Sequence, residues 1–186
     1  MSQWSHLKYA CLAYLSQPSA DRIIYRAIRH HQVHSIVELG VGDARRAQRM
    51  IRTAKQFSPA ETIRYTGVDL FETRPVGQPQ IKLKVAYMEF KRLTPCVQLA
   101  PGDPYLALAR TANSLAGTDL LVVGSDQDPE AMARAWSLVP RMIRDHSLIF
   151  REEAIQGGRR TRFVRLEGRD VQQLADAALR SVRKAA

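Results

Sequence analysis

The chain has 186 residues, which is enough for one hydrophobic core and short for two independent domains. Hydrophobic residues make up 45% and charged residues 25%, a composition that excludes a disordered or fibrous protein and predicts one domain over residues 1–186. A net charge of +10 raises the prospect of an anionic partner, although net charge bears on association rather than on fold.

The first apolar run carries no signal for export or for membrane insertion. Residues 9–15 are far fewer than the roughly 20 that a membrane-spanning helix needs. A charged flank and a small-residue cleavage site, which a signal peptide would have, are also missing. Cys11 and Cys96 lie far apart without clustered histidines, so we expect buried, reduced thiols and a cytoplasmic protein without a membrane partner.

The predicted elements begin with a helical preface, about residues 1–32, in which Ser19 is expected to cap a helix that starts near Ala20. Apolar or β-branched runs then predict strands at residues 35–39, 63–71, 96–100, 119–124, 147–152 and 162–166. Helical spacing predicts helices at residues 44–55, 81–93, 104–115, 129–143 and 170–184. This alternation predicts an α/β fold: a doubly wound, mostly parallel sheet with helices on both faces.

The first strand runs into a glycine turn, at the edge of the sheet where such folds bind their ligands. Gly40 and Gly42 let the backbone turn sharply and let a ligand lie against it. A dinucleotide fingerprint would have a small residue where this chain has Arg45. Glu38 would repel a pyrophosphate, so the turn better suits a ligand with positive charge.

Residues 37–44, VELGVGDA, resemble the first motif of class I S-adenosylmethionine-dependent methyltransferases, in which an acidic residue precedes x-G-x-G-x-G. Glu38, Gly40 and Gly42 match this motif, and Ala44, which is also small, stands at the third glycine position. The resemblance implies a Rossmann-like methyltransferase fold with S-adenosylmethionine as cofactor. That molecule has a sulfonium cation and no phosphate, so an acidic residue near the turn would attract it.

Two later segments resemble the next motifs of the same family, in the same order along the chain. The resemblance implies that Asp69, in YTGVDLFE, binds the ribose hydroxyls and that Asp103, in LAPGDP, lies near the adenine amino group. Each aspartate could instead end a strand and cap the helix that follows.

The exit of the fourth predicted strand resembles that of small-molecule O-methyltransferases of the catechol and caffeoyl-CoA kind. In those enzymes an acid of this segment and an Asp-Asn pair after the fifth strand hold a divalent cation. The aligned positions here are Gly124, Arg151 and Glu152, so no metal site of that kind is expected. Asp126 is the candidate general base. A metal site of different geometry would have to draw on Asp126, Asp128, Glu152 and Glu153.

The C-terminal part leaves room only for a turn through Gly157 and Gly158, one strand and one helix. We therefore expect an abbreviated edge of the sheet, which could open the pocket or be completed by a second copy as a homodimer. Arginines cluster at residues 45–52, 159–165 and 180–184. The spacing of the first cluster predicts that it lies on a solvated flank of the sheet.

These observations predict methyl transfer from S-adenosylmethionine to a small-molecule acceptor, without a metal ion. A catalytically silent scaffold that binds S-adenosylmethionine is the alternative, favoured by the missing metal ligands and the short C-terminal part. A methyltransferase acting on RNA is a third interpretation, supported only by the basic charge.

Overall fold

The computed structural model describes residues 3–155 and 160–185, and its strands form one six-stranded sheet. The strands are β1 (Ser35–Leu39), β2 (Arg64–Asp69), β3 (Cys96–Pro101), β4 (Leu120–Val123), β5 (Leu148–Ala154) and β6 (Thr161–Leu166). Their order in the sheet is β3-β2-β1-β4-β5-β6. All neighbouring strands are parallel except β5 and β6, which are antiparallel. The predicted doubly wound, mostly parallel sheet is therefore confirmed.

The helices follow the predicted order, with differences at several ends. They are α1 (Gln3–Ala10), α2 (Arg22–His31), α3 (Arg45–Phe57), α4 (Leu83–Leu93), α5 (Pro104–Thr111), α6 (Pro129–Ala135) and α7 (Gly168–Ala185). The helix predicted at 129–143 ends at Ala135, and the chain continues as a 3₁₀ turn at Val139–Arg141. That turn contains Pro140, which has no backbone N–H to continue an α-helix.

The two faces of the sheet bury two separate apolar clusters. Side chains of α2, α3 and α4 pack on one face, and those of α5, α6 and α7 on the other. Successive residues of β4 alternate between them, because neighbouring side chains of a strand point to opposite faces: Leu120 and Val122 belong to the first cluster, Leu121 and Val123 to the second. Both faces of the central strands are covered, as a parallel sheet requires.

The topological switch point lies between β1 and β4. The chain passes from β1 through β2 to β3 on one side, then crosses back to place β4 against the other edge of β1. A crevice opens at the carboxyl ends of such a pair of strands, and ligands of doubly wound folds bind there. The glycine turn that follows β1 lies at this crevice.

Three smaller predictions differ from the structure or fall outside it. Ser19 lies in a 3₁₀ turn, Ser19–Asp21, and no side-chain cap bonds the start of α2. Cys11 and Cys96 are exposed rather than buried; Cys96 begins the outer strand β3, where one edge has no neighbouring strand among the described residues. The predicted turn through Gly157 and Gly158 lies outside the described residues. No helix in the described part of the chain is long and apolar enough to cross a membrane.

Candidate functional site at the switch point

The turn after β1 has a left-handed backbone at three positions. Gly40, Gly42 and Ala44 have φ values of +98°, +60° and +68°. A Cβ atom on Gly40 would lie 2.5 Å from Gln127 Nε2 and 2.9 Å from Asp126 Oδ1, so the loop after β4 approaches the turn directly. The backbone conformation therefore favours glycine at position 40, and any larger residue would also displace the Gln127 and Asp126 side chains.

Glu38 lies beneath the turn and is fully buried. Its Oε1 accepts a hydrogen bond from Arg46 Nε at 2.7 Å, and its Oε2 accepts one from the Tyr65 hydroxyl at 2.5 Å. Burial raises the pKa of the Glu38 carboxyl, although Arg46 and Tyr65 oppose this. Because both oxygens are engaged within the protein, Glu38 supports the turn from below.

Arg46 belongs to the arginine cluster predicted to lie on a solvated flank, and that prediction is wrong for this residue. Its side chain is only 16% exposed, because it reaches back over the strand ends to the buried Glu38. Its Nη2 donates to Gly40 O at 2.8 Å, and its Nη1 lies 3.5 Å from Glu152 Oε2. Arg45, the preceding residue, is exposed as expected. In the sequence, Glu38 is an acid within the apolar run of β1. A carboxylate buried in such a run needs a cationic partner, and this was the signal for Arg46.

Asp69 ends β2, and its carboxylate receives four hydrogen bonds. Oδ2 accepts from the Gly42 amide and from Arg74 Nη2, both at 2.7 Å. Oδ1 accepts from the Phe71 amide at 3.1 Å and from Arg74 Nε at 2.5 Å. The predicted ribose-binding acid is thus tied to the glycine turn, and its acceptor positions are filled within the protein.

Arg74 was not singled out from the sequence, yet it connects two of the predicted site residues. It is 6% exposed, and besides its two bonds to Asp69 its Nη1 donates to Asp126 Oδ2. Burial raises the pKa of Asp126, but the hydrogen bond and charge of Arg74 outweigh it and hold the pKa below its ordinary value. An ionised carboxylate paired in this way is a weak general base.

Asp103 lies beside Asp69, Arg74 and Asp126 around a small cavity of about 30 Å³. Its Oδ1 accepts from the Leu106 amide at 3.0 Å and caps α5, so the capping role considered for it is present. The structure thus brings Asp69, Asp103 and Asp126 together. The cavity between them has room for about one water molecule.

A larger cavity of about 190 Å³ lies above the glycine turn. It extends from Gly40 and Gly42 towards β5, where Glu152 lines it, and is closed on the preface side by the residues that lead into α2. Arginine and carboxylate side chains both line it. The cavity is therefore polar and lies on the β1, β4 and β5 side of the crevice.

Asp21 lines this cavity and is a site residue that sequence reasoning missed. It is 2% exposed, and its Oδ2 accepts a hydrogen bond from the Tyr25 hydroxyl at 3.2 Å. Its Oδ1 has no hydrogen-bond partner among the described residues. Burial raises the pKa of Asp21, although Arg46 and the bond from Tyr25 oppose this. The position in a helical preface gave no sequence signal for such burial.

The carboxylates considered for an alternative metal site already have other partners. Glu152 Oε2 lies 3.2 Å from the Ser125 amide, and Glu153 pairs with Arg151 at 2.5 Å. Asp128 caps α6 by accepting from the Ala131 amide at 2.7 Å. Within residues 3–155 and 160–185, no cluster of three or more potential metal ligands is found.

Comparison with known proteins relates the fold to solved structures. No protein-family model matches the chain, and no curated protein matches it significantly in sequence. The O-methyltransferase from Bacillus cereus, solved in complex with SAH, superposes with a TM-score of 0.59 at 12% identity, covering 99% of this chain and 80% of that one. The O-methyltransferase TomG from Streptomyces achromogenes, solved in complex with SAM, superposes with a TM-score of 0.55 at 13% identity. The match covers 99% of this chain and 79% of TomG.

A third solved structure, cofactor-bound Rv0187 from MTB, gives a TM-score of 0.55 at 15% identity, covering 96% of this chain and 77% of that one. At such low identities the similarity establishes the fold. The chain therefore has the Rossmann-like fold of class I S-adenosylmethionine-dependent methyltransferases.

Proposed function

We propose that the protein binds S-adenosylmethionine at the switch point and transfers its methyl group to a small-molecule acceptor. The observation that carries this proposal is the 2.7 Å bond from the Gly42 amide to Asp69, which joins the glycine turn and the second-strand acid into one unit. Asp103 lies beside that unit. The solved structures of similar fold include proteins in complex with SAM and SAH, which supports the same ligand here.

The adenosine half would lie over the ends of β2 and β3, with its ribose hydroxyls on Asp69. Gly42 and Phe71 would continue to hold the carboxylate, while the hydroxyls replace the two bonds from Arg74. The cavity of about 30 Å³ beside Asp69 is too small for adenosine, so Arg74 has to move when the ligand binds. Ligand binding is thereby coupled to the opening of a buried ion pair.

The cofactor supplies an electrophilic methyl group on a sulfonium. As the acceptor oxygen or nitrogen forms its bond to this carbon, the carbon–sulfur bond breaks and its electron pair stays on sulfur. Alignment of the acceptor provides much of the rate in such reactions. Asp126 would take the acceptor's proton once Arg74 has moved away from it.

We propose that this transfer needs no metal ion. At the positions where metal-dependent relatives would carry ligands, Gly124 has no side chain and Arg151 pairs with Glu153. Any methyl transfer by the protein should continue at the same rate in the presence of EDTA. Activity abolished by EDTA and restored by magnesium would contradict this and would point to Asp126, Asp128 and Glu152.

Calorimetry tests the binding proposal directly. The purified protein should release or absorb heat with S-adenosylmethionine and S-adenosylhomocysteine, and Asp69→Ala should weaken both by about 1–3 kcal/mol because ribose hydroxyls lose their acceptor. NAD is the control ligand. If the protein binds NAD and gives no heat with either adenosyl ligand, the proposal that it binds S-adenosylmethionine is wrong.

A catalytically silent scaffold is the second candidate function. The observation that favours it is the pairing of Arg74 with both Asp69 and Asp126, which occupies the ribose acceptor and the candidate base together. Such a scaffold would bind S-adenosylhomocysteine but would form none from S-adenosylmethionine with any acceptor supplied. Formation of that product distinguishes the enzyme from the scaffold.

A further inference from the structure

A further cavity, of about 710 Å³, lies on the flank of the molecule between the helical preface, α2 and the strands β5 and β6. None of the residues that line it also lines either cavity at the switch point. Its volume is in the range of sites that bind small organic molecules. It is therefore a separate candidate site, away from the glycine turn and the strand-end acids.

The charged side chains around this cavity are all basic. They are Arg26, Arg29, His30 and His31 of α2 and Arg165 of β6. None of the described residues that line the cavity is acidic, and of the three arginines only Arg165 has a carboxylate partner, Glu167 at 3.4 Å. Loss of hydration and the positive charges of His30 and Arg165 lower the pKa of His31. The cavity thus carries positive charge that the described part of the chain does not neutralise.

Aromatic rings position Arg26 and Arg29 where acids usually would. The guanidinium carbon of Arg26 lies 5.7 Å from the centre of the Tyr14 ring, and that of Arg29 lies 4.8 Å from the centre of the Tyr9 ring. Such contacts orient a guanidinium without using its N–H groups in hydrogen bonds. Both arginines are exposed, and neither donates a hydrogen bond to another described residue. Their donors are therefore available to an anion in the cavity.

Apolar surface lies among these basic groups. Ile23 and Ala27, one helical turn apart on α2, line the cavity together with Phe150 of β5, and the Tyr14 ring is 56% exposed. This combination suits a ligand with both an anionic group and an organic part. A phosphate ester carries up to two negative charges and three strong acceptor oxygens, so it matches several arginines better than a single carboxylate would.

We propose that this cavity binds a nucleotide-sized organic phosphate, whose phosphate groups accept hydrogen bonds from Arg26 and Arg29 and whose organic part packs against Tyr14 and Ile23. Arg165 and the two histidines add positive charge around the same ligand. The inference does not depend on the proposed methyl transfer, because no residue of the switch point takes part in it.

The first experiment measures binding of uridine 5′-diphosphate by calorimetry. This probe has phosphates and an organic part but lacks the adenosine proposed for the switch point. The double variant Arg26→Gln/Arg29→Gln should bind it about tenfold to a hundredfold more weakly than wild type, because charge-assisted hydrogen bonds are lost. Arg52→Gln/Arg92→Gln is the matched control, since it removes the same charge from two exposed arginines that do not line the cavity. No binding to wild type, or an equal loss in the control, would overturn the proposal.

Comparisons on the wild-type protein do not depend on a variant that folds. Uridine lacks the phosphates and pyrophosphate lacks the organic part, so each should bind at least tenfold more weakly than uridine 5′-diphosphate. Pyrophosphate that binds as tightly as the probe would overturn the proposed contact with the organic part. Competition by S-adenosylhomocysteine would place the probe at the switch point instead. Much tighter binding of an oligouridylate would assign the surface to nucleic acid and not to a small molecule.

The imidazole of His31 reports on the site itself. An anion bound beside it stabilises the charged form, so saturating uridine 5′-diphosphate should raise the pKa of His31, measured by NMR of the ring protons. An unchanged pKa of His31 at saturation would show that the probe binds elsewhere and would overturn the proposal.

Discussion

Three buried carboxylates mark the site at the scale of single residues. Asp21, Glu38 and Asp69 are each no more than 2% exposed. Glu38 and Asp69 are paired with arginines, which offsets the cost of burying their charge. Asp21 accepts its hydrogen bond from a tyrosine hydroxyl. Neutralising each carboxylate should therefore affect stability differently.

Asp21→Asn should change the pH dependence of stability. Burial raises the pKa of Asp21 above its ordinary value of 3.8, so the folded state binds this proton more tightly than the unfolded state does. The protonated Asp21 carboxyl therefore contributes to the free energy of unfolding below about pH 4. This contribution is lost as pH rises through the pKa of Asp21 in the folded state. The free energy of unfolding of wild type should therefore fall relative to that of Asp21→Asn over this range, measured by urea unfolding at a series of pH values.

Asparagine can still accept a hydrogen bond from Tyr25, so the variant keeps that interaction. Parallel curves for the two proteins would show that Asp21 titrates normally. A lower stability of Asp21→Asn at neutral pH would assign the residue a purely structural role.

Arg74→Ala should strengthen the binding of S-adenosylhomocysteine, because ribose hydroxyls would no longer have to displace a guanidinium from Asp69. Asp69→Ala should weaken the binding of S-adenosylhomocysteine. The same variant should lower the free energy of unfolding by about 3–5 kcal/mol, because the buried Arg74 loses its main partner. Calorimetry and urea unfolding of both variants separate the two effects, with Arg45→Ala as an exposed control. Weaker binding by Arg74→Ala would instead make Arg74 a residue that touches the ligand.

At the scale of elements, the turn between β1 and α3 sets the geometry of the crevice. Its glycines share a left-handed backbone but differ in their surroundings. The nearest atom to a Cβ on Gly42 would be Pro79 O at 3.9 Å, whereas one on Gly40 would meet Gln127 at 2.5 Å. Alanine at position 42 would therefore change only the backbone energy, whereas alanine at position 40 would add a steric clash. Comparing the two variants separates these contributions to the free energy of unfolding.

Gly42→Ala should cost about 1–2 kcal/mol, the penalty of a left-handed conformation for a residue with a Cβ. Gly40→Ala should cost more, because the side chains of Gln127 and Asp126, which the added Cβ would meet, must also move. Urea unfolding of the two variants measures the difference. Equal costs would mean that the Gln127 and Asp126 side chains move aside freely, so that packing against the turn does not fix their positions.

At the scale of the whole molecule, the arginines behind the net charge of +10 have different roles. Arg46 and Arg74 are buried and paired with acids of the crevice, so they are not free to bind a polyanion. Exposed arginines of the predicted clusters include Arg45, Arg52, Arg160 and Arg162. Arg159 lies outside the described residues. These exposed side chains are the ones that a polyanion could reach.

Binding to RNA should be micromolar or weaker at ~150 mM salt and without sequence preference. The measurement is fluorescence anisotropy over a salt series. Replacing Arg160 and Arg162 by alanine should have no more effect than replacing Arg45 and Arg52, because each arginine that binds a phosphate adds only about 1 to the salt slope. Tight, selective binding reduced only by the first pair of substitutions would favour an RNA acceptor.

The homodimer expected from the sheet edge stays a prediction. β6 closes one side of the sheet and pairs only with β5 among the described strands, so its outer edge is the surface where a second copy could add. Sedimentation at several concentrations would test this.

Much of the fold and part of the site followed from local patterns in the sequence. The apolar run of β1, its glycine turn and the alternation of strands and helices determined the doubly wound sheet, because these signals act over a few residues. The same order placed Asp69 and Asp103 at adjacent strand ends, since parallel strands end at one edge of a sheet. The helices predicted to begin at residues 104 and 129 do begin there, at Pro104 and Pro129.

Only the tertiary structure decided which charged groups meet. Arg46 reaches Glu152, 106 residues further along the chain, and Arg74 reaches Asp126, 52 residues away. Asp21 is shielded from solvent because α2 packs on the sheet beside the crevice, which no spacing within the preface encodes. Long side chains pair with the groups that packing brings within reach, so burial, ion pairing and the unpartnered oxygen of Asp21 depend on how distant segments pack together.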